Sequence, residues 1–197
     1  MPITQRPRLL ATALLSALAL TAVPAHAAAP KPQITDPKGD TAAPMAGTDL
    51  VSVLFGTSGT TAKVKKKTVY TPTKLVVTLT YDGQPSADPT VSHVVTFDAP
   101  GCDDVYLQVY GGDGTFGSAD CVNAAFDFGY KTSGNTITLT LPFGALGKSL
   151  RGGAKLGALR AYTAVGDPLI GLETVVMTSR DETANDVAKT DALYTVK

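Results

Sequence analysis

The sequence has no tryptophan and no net charge, and it contains very little histidine, cysteine or glutamate. Its histidines are His26 and His93, and its glutamates are Glu173 and Glu182. No Gly-x-Ser-x-Gly elbow occurs, so the usual signature of a serine hydrolase is missing. No spacing of carboxylates marks a pair suited to glycoside cleavage. These shortages predict a protein that is not an enzyme.

The balance of charge argues against a nucleic-acid partner. The chain carries 17 basic and 17 acidic residues, whereas nucleic-acid binding normally requires a positive field. The only basic cluster consists of Lys63, Lys65, Lys66 and Lys67. It fits a solvated hairpin or an edge strand protected by lysines, and the alternative is a patch for an acidic polymer.

Residues 1–27 have the pattern of an export signal. Arg6 and Arg8 form a short basic start, residues 9–23 are apolar, and Ala25-His26-Ala27 is a small-x-small cleavage sequence. The apolar run is too short for a typical membrane span. We therefore expect a secreted protein of net charge −2 without a membrane span in its mature chain. The expected segments are a signal peptide at 1–27, a flexible terminus at 28–33 and a single domain at 34–197.

Two cysteines, Cys102 and Cys121, predict one disulfide in an exported protein. In the chain-entropy model, closing a loop of this length contributes about 3 kcal/mol to stability. A reactive or metal-binding pair is the alternative, but no third soft ligand lies nearby. The same region offers a second candidate cation site without a recognised ligand spacing, formed by Asp103, Asp104, Asp113 and Asp120.

From Thr48 onward, apolar and polar residues alternate in the manner of strands with one buried face. Leu75, Val77 and Leu79, for example, share one face of a predicted strand. No apolar stripe is long enough for the crossover helix that parallel strands require. We predict an all-β fold, an antiparallel β-sandwich of immunoglobulin-like or jelly-roll type with about eight or nine strands.

Glycine-rich segments set the expected strand boundaries. Residues 56–59 and the lysine cluster should join the first two strands, and residues 111–120 should form a loop. Residues 133–135 should be the turn of a hairpin, and residues 142–147 a single helical turn or a tight loop. The remaining predicted strands include residues 126–130, 137–141, 156–163, 172–178 and 192–196.

An acidic turn before the first long strand is the strongest candidate metal site. Asp36, Asp40 and Asp49 combine three carboxylates with a Gly/Pro turn, and calcium takes six to eight oxygen ligands. Asp191 would add a carboxylate if the tail returns beside the first strand. The alternative is a turn in which each aspartate bonds nearby amides.

Tyr106, Gln108 and Tyr110 should lie on one face of a strand, where two aromatic rings and an amide can contact a sugar. Ordinary strand packing is the alternative use of these residues.

His93 lies in register with Val95, which favours a neutral, hydrogen-bonded histidine at the margin of the core. The alternative is a haem ligand paired with Met177.

Several short motifs resemble secreted bacterial domains of the DOMON-like and family 9 carbohydrate-binding type. They are the Asp36-Pro-Lys-Gly-Asp40 turn with Asp49-Leu50, the Thr138-Leu-Thr-Leu-Pro142 segment and the Tyr194-Thr-Val196 close. The resemblance implies a β-sandwich with a structural calcium site near the amino-terminal turn. Family 9 modules hold sugar with tryptophan, which this chain lacks, and haem-binding DOMON relatives use methionine and histidine.

These observations together predict a secreted, non-catalytic binding or scaffolding domain. The expected partner is an extracellular polysaccharide or cell-surface glycan, inferred from the resemblance, and the expected cofactor is at most structural Ca²⁺. The alternatives are a haem-carrying redox module and a purely structural envelope or matrix protein. Nothing in the sequence decides the oligomeric state.

Overall fold

The computed structural model describes residues 30–39, 47–110, 115–122, 125–166, 177–182 and 194–197, and of residues 177–182 it gives the backbone alone. Within these residues the chain forms eleven strands and one short 3₁₀ helix, and all strand pairs are antiparallel. The prediction of an all-β sandwich is confirmed. The predicted signal peptide and residues 28–29 lie outside the described residues. No helix in the described ranges is long and apolar enough to cross a bilayer.

The first sheet has five strands in the order β1-β2-β3-β8-β7. Its two central connections are the long β2–β3 hairpin and the pairing of β3 with β8. The strands are β1 (Ile34–Thr35), β2 (Leu50–Val64), β3 (Lys67–Tyr81), β7 (Gly129–Ser133) and β8 (Thr136–Pro142).

The second sheet has the order β10-β9-β4-β5-β6, and β11 pairs with the start of β9. β4 and β5 form its central hairpin, and β9 lies on the other side of β4. The strands are β4 (Val91–Ala99), β5 (Cys102–Tyr110), β6 (Thr115–Ser118), β9 (Lys155–Gly166), β10 (Met177–Glu182) and β11 (Tyr194–Thr195).

One hydrophobic core lies between the sheets because each strand turns alternate apolar side chains inward. Phe55 of the first sheet packs edge-on against Phe97 of the second, with ring centroids 6.0 Å apart. Tyr194 of β11 lies at the same 6.0 Å separation from Phe55. The last described strand therefore closes the sandwich by adding an aromatic ring to its core, as the tail pattern predicted.

The predicted turn at residues 56–59 is wrong, because β2 continues through it to Val64. Gly59 faces Pro72 across the hairpin, beside a register shift between Ser58 and Gly59. A Cβ at Gly59 would overlap the backbone of Thr71 and Pro72. The glycine therefore permits a close approach of two strands, and the actual turn is formed by Lys65 and Lys66.

Other boundaries differ in smaller ways. Thr115–Ser118 forms β6 inside the predicted loop, and β7 begins only at Gly129, after a single bridge between Gly117 and Phe126. Two short strands that were not predicted, β1 and β6, carry the total above the predicted eight or nine. The 133–135 turn and the helical turn, now a 3₁₀ helix at Phe143–Leu146, are confirmed.

The disulfide between Cys102 and Cys121 is present, as predicted. Cys102 is the first residue of β5, and Cys121 lies just beyond β6. The bond closes a segment with a sequence separation of 19 residues and holds the edge strand β6 against the centre of the sheet. In the chain-entropy model this contributes about 3 kcal/mol to the free energy of unfolding.

Candidate functional site

The acidic amino-terminal turn packs against the start of β2. Asp36 and Asp49 are both buried, and the Gly39 N–H donates to Asp49 Oδ2 at 2.7 Å. Asp49 Oδ1 is buried and has no hydrogen-bond partner among the described residues. Lys38 forms an ion pair with Asp82 at 2.8 Å on the surface above this turn.

Two of the four predicted calcium ligands, Asp36 and Asp49, are therefore among the described residues, and both lie at the acidic turn. The other two, Asp40 and Asp191, lie outside the described residues. The bond from Gly39 to Asp49 is the kind of amide contact that the alternative interpretation required. The buried Oδ1 atom of Asp49 is an oxygen of the type that calcium prefers, so the described residues fit part of such a site.

The predicted second cation site does not assemble around several aspartates in the described residues. The one group of three ligand-type side chains found there is Cys102, Asp120 and Cys121. Both sulfurs are bonded to each other, so neither is a thiolate that can bind a metal. Asp103 and Asp104 are exposed, and Asp113 lies outside the described residues.

Tyr106, Gln108 and Tyr110 share the outer face of β5, as predicted, but the amide is already engaged. Tyr106 donates its hydroxyl to Gln108 Oε1 at 3.0 Å, and Gln108 Nε2 donates to Ser92 Oγ at 2.7 Å. Only 6% of Gln108 is exposed, so its amide is not free to contact a sugar. The Tyr106 ring instead meets the exposed Phe116 ring of β6, with centroids 6.3 Å apart.

His93 is a neutral histidine at the core margin, as predicted. Only 1% of it is exposed, and its Nε2 lies 3.0 Å from the carbonyl oxygen of Ser86. A carbonyl only accepts, so Nε2 carries the hydrogen and Nδ1 does not. Burial lowers the pKa of the imidazole below its usual 6.5, and the bond to Ser86 opposes this weakly. The Tyr81 ring packs edge-on against it, with centroids 5.1 Å apart.

A cleft of about 220 Å³ opens beside His93 at the end of the sandwich. This volume lies below the roughly 300–1,000 Å³ of sites for drug-sized ligands. Met177, the second proposed haem ligand, is on β10, with β9 between it and β4. The residues around the cleft carry no charge; they include loop 84–87, Val109, Tyr110, Tyr130 and Ile137.

The most exposed element of the described chain is the distal half of the β2–β3 hairpin, residues 58–73, here called the arm. All of its residues are exposed except Pro72, which is half-buried. β8 pairs with β3 only as far as Lys74, and β1 pairs with β2 only at Ser52 and Val53. At roughly 3.3 Å per residue, the arm extends about 20 Å beyond its neighbours.

The tip of the arm is strongly basic. Lys63 and Lys67 lie on its strands, and Lys65 and Lys66 form the two-residue turn between them. None of these lysines is within ion-pair distance of a carboxylate in the described residues. Their positive charge is therefore not neutralised within the described part of the protein.

The turn adopts a backbone conformation that lysine disfavours. Lys65 and Lys66 have φ values of 48° and 67°, which is the pattern of a type I′ turn. Asn-Gly is the preferred sequence there, and a non-glycine residue in this region costs about 1–3 kcal/mol. Positions that favour small turn residues thus carry charge instead, which is typical of a functional surface.

Sequence reasoning found the lysines but missed the exposed apolar residues beside them. Val64, Val69 and Tyr70 are 52%, 43% and 43% exposed, respectively. The glycines at 56 and 59 and the lysine cluster were assigned to the connection between the first two strands, which removed this segment from the predicted strands. The signal that could have found them is the run of β-branched and aromatic residues from Thr68 to Thr71.

No family model matches this chain, and no curated protein matches it either.

Proposed function

We propose that the protein is a secreted, non-catalytic binding or scaffolding domain that attaches to a negatively charged cell-surface component through its arm. The observation that carries the proposal is the group of four lysines without carboxylate partners in the described residues, at the end of a projecting hairpin. Like charges held this close repel one another, and an anionic surface removes that repulsion. The rigid sandwich supports the arm, because β2 and β3 both continue into the core.

The chemistry of the described side chains supports binding rather than catalysis. His93 is the histidine that a hydrolytic site would have to use, and its Nε2 hydrogen is directed to Ser86. Its ring is buried, with Val109 and Thr163 as its neighbours on the two adjacent strands. A general base must contact its substrate, and only 1% of His93 is exposed even beside the cleft.

The test is retention on heparin-agarose, used as a general polyanion. Replacing the four tip lysines with glutamine should weaken binding about tenfold or more, because several favourable charge contacts are lost together. The matched control replaces four other exposed lysines with glutamine and has the same net charge: Lys31, Lys131, Lys148 and Lys155. If both variants lose retention equally, or the unaltered protein is not retained, the proposal is wrong.

A second candidate function is binding of a neutral polysaccharide on the outer face of the second sheet. The specific observation is the Tyr106–Phe116 pair, in which Phe116 remains exposed. Aromatic faces of this kind stack on sugar rings. The same retention experiment on a neutral polysaccharide tests this second function. The double variant Tyr106→Ala with Tyr110→Ala and the single variant Phe116→Ala should each abolish retention, whereas the variant without the tip lysines should still be retained.

A further inference from the structure

We propose that the anionic component is a lipid bilayer surface and that the apolar side chains of the arm enter its interface. This inference rests on the proposed attachment through the arm and names its partner. The lysines alone would suit any polyanion, whereas the neighbouring aliphatic side chains of Val64 and Val69 would gain little from a hydrated polymer. A bilayer interface offers anionic headgroups and apolar chains together.

Exposed large apolar residues are concentrated on the arm. Of the four such residues in the described ranges, Val64, Val69 and Tyr70 are on the arm, and Phe116 is on the sandwich. Scattered exposed apolar residues are normal on a protein surface. Three of them within one projecting hairpin, next to four lysines, indicate an interaction surface.

The register of the hairpin places the two valines together. Ala62 pairs with Val69, and Val64 pairs with Lys67, so all four side chains share one face. Val64 and Val69 are diagonal neighbours on that face, which brings such side chains within about 7–8 Å. This face is therefore aliphatic near the tip. The methylene groups of Lys67 can extend its apolar area, while the ammonium group of Lys67 stays in the headgroup layer.

The other face of the arm also carries an amphipathic pair. Tyr70 pairs with Thr61, and Lys63 pairs with Thr68 one step nearer the tip. The Tyr70 hydroxyl donates to Thr57 Oγ1 at 3.3 Å, which directs its polar end back along the arm. Tyrosine and lysine are both residues that prefer the boundary between headgroups and hydrocarbon.

The unpaired strand edges of the arm limit how deeply it can enter the bilayer. Neither strand of the arm has a further strand paired with it in the described residues, so backbone N–H and C=O groups face outward on both edges. Such groups cannot be left without partners in hydrocarbon. The arm therefore lies with its lysines among hydrated headgroups, and only Val64 and Val69, on the face turned towards the bilayer, reach the acyl boundary.

A reporter at the arm tests this directly, because the chain contains no tryptophan. In the full chain, Val69→Trp, on the face of the two valines, should shift its emission to the blue with phosphatidylcholine–phosphatidylglycerol vesicles. It should not shift with phosphatidylcholine vesicles or with heparin. Phe116→Trp, on the sandwich, is the matched control and should not shift with any of them. Residues 1–27 are common to all variants and cannot cause a difference between them.

Two sets of substitutions separate charge from apolar contact. Val64→Ser with Val69→Ser should weaken binding to the anionic vesicles about tenfold and leave heparin retention unchanged. Thr60→Ser with Thr71→Ser, on the same exposed part of the arm, is the control and should change neither. Loss of the tip lysines should weaken vesicle binding about fivefold for each lysine removed.

The outcomes distinguish this inference from the proposed function. If heparin retention depends on the lysines but the Val69→Trp variant shows no blue shift, or the valine-to-serine variant binds vesicles normally, the partner is an acidic polymer and the inference is wrong. If neither heparin nor vesicles bind, both proposals are wrong. A concentration-dependent dimer that the valine variant dissolves would assign the arm to a second copy and would also overturn the inference.

Discussion

His93 lies on the inward face of β4, between the buried residues Val91 and Val95. Its ring is kept neutral by burial and oriented by the Ser86 carbonyl. That carbonyl is itself positioned by a turn, because Ser86 N–H donates to the Gly47 carbonyl at 3.0 Å. A Cβ at Gly47 would overlap the backbone of Gln84 and Ser86, so glycine is required for this contact.

The depressed pKa of His93 predicts a loss of stability in mild acid. The unfolded chain binds a proton near the ordinary pKa of 6.5, whereas the folded chain binds it only at lower pH. The burial of His93 therefore does not lower the free energy of unfolding above pH 6.5. Below that value the free energy of unfolding falls as the pH drops towards the pKa of His93 in the folded chain. The limiting slope is about 1.4 kcal/mol per pH unit.

Urea denaturation between neutral pH and the onset of carboxylate titration measures this slope. His93→Gln should flatten it, whereas His26→Gln, at the only other histidine, should leave it unchanged. An equal slope in the His93 variant would show that another group causes the acid sensitivity.

At the scale of elements, the β2–β3 hairpin combines two different halves in one pair of strands. Its proximal half supplies Phe55, Val77 and Leu79 to the core, and its distal half is the exposed arm. The register shift at Ser58 and Gly59 marks the change between them. Bulges increase local twist, so this position sets the direction in which the arm leaves the sandwich.

At the Lys65-Lys66 turn, we expect the residues that favour stability to differ from those that favour binding. Lys65→Asn with Lys66→Gly suits a type I′ turn and should stabilise the arm by about 1 kcal/mol. Lys65→Gln with Lys66→Gln removes the same charges but keeps the unfavourable backbone, so it should bring no gain. Amide hydrogen exchange within the arm measures the difference. Equal protection in the two variants would show that the turn stores no strain.

At the scale of the whole molecule, two sheets, one disulfide and the closing strand β11 form a single support for the arm and the acidic turn. The arm leaves from the start of β3, and the acidic turn lies beside Asp82, just after its end. The basic and acidic features thus lie at opposite ends of the same central strand. Ligand binding at one end does not compete for residues at the other.

A structural calcium ion at the acidic turn, if bound, should raise the stability of the whole domain. Calcium at about 100 times its Kd would add about 2.7 kcal/mol to the free energy of unfolding. The melting temperature should therefore rise with calcium, fall after chelation, and become insensitive in Asp49→Asn. Asp82→Asn, an exposed neighbour that pairs with Lys38, is the control and should keep the response. A melting temperature unaffected by chelation removes the calcium hypothesis.

The sequence by itself determined the all-β architecture, the disulfide and the neutral state of His93. Alternation of apolar residues reports directly which face of a strand is buried, so the architecture and the state of His93 needed only local information. The disulfide followed from the presence of two cysteines in a chain with an export signal. It also determined the lysine cluster and the shared face of Tyr106, Gln108 and Tyr110.

Only the tertiary structure decided what surrounds those residues. Gly59 looks like a turn residue until the opposing strand shows that its missing side chain permits close packing against Thr71 and Pro72. Gln108 looks available until Ser92, from another strand, takes its amide. Val64 and Val69 become an exposed pair only because no third strand covers the arm in the described residues. Each depends on contacts between segments far apart in the chain, which local alternation does not encode.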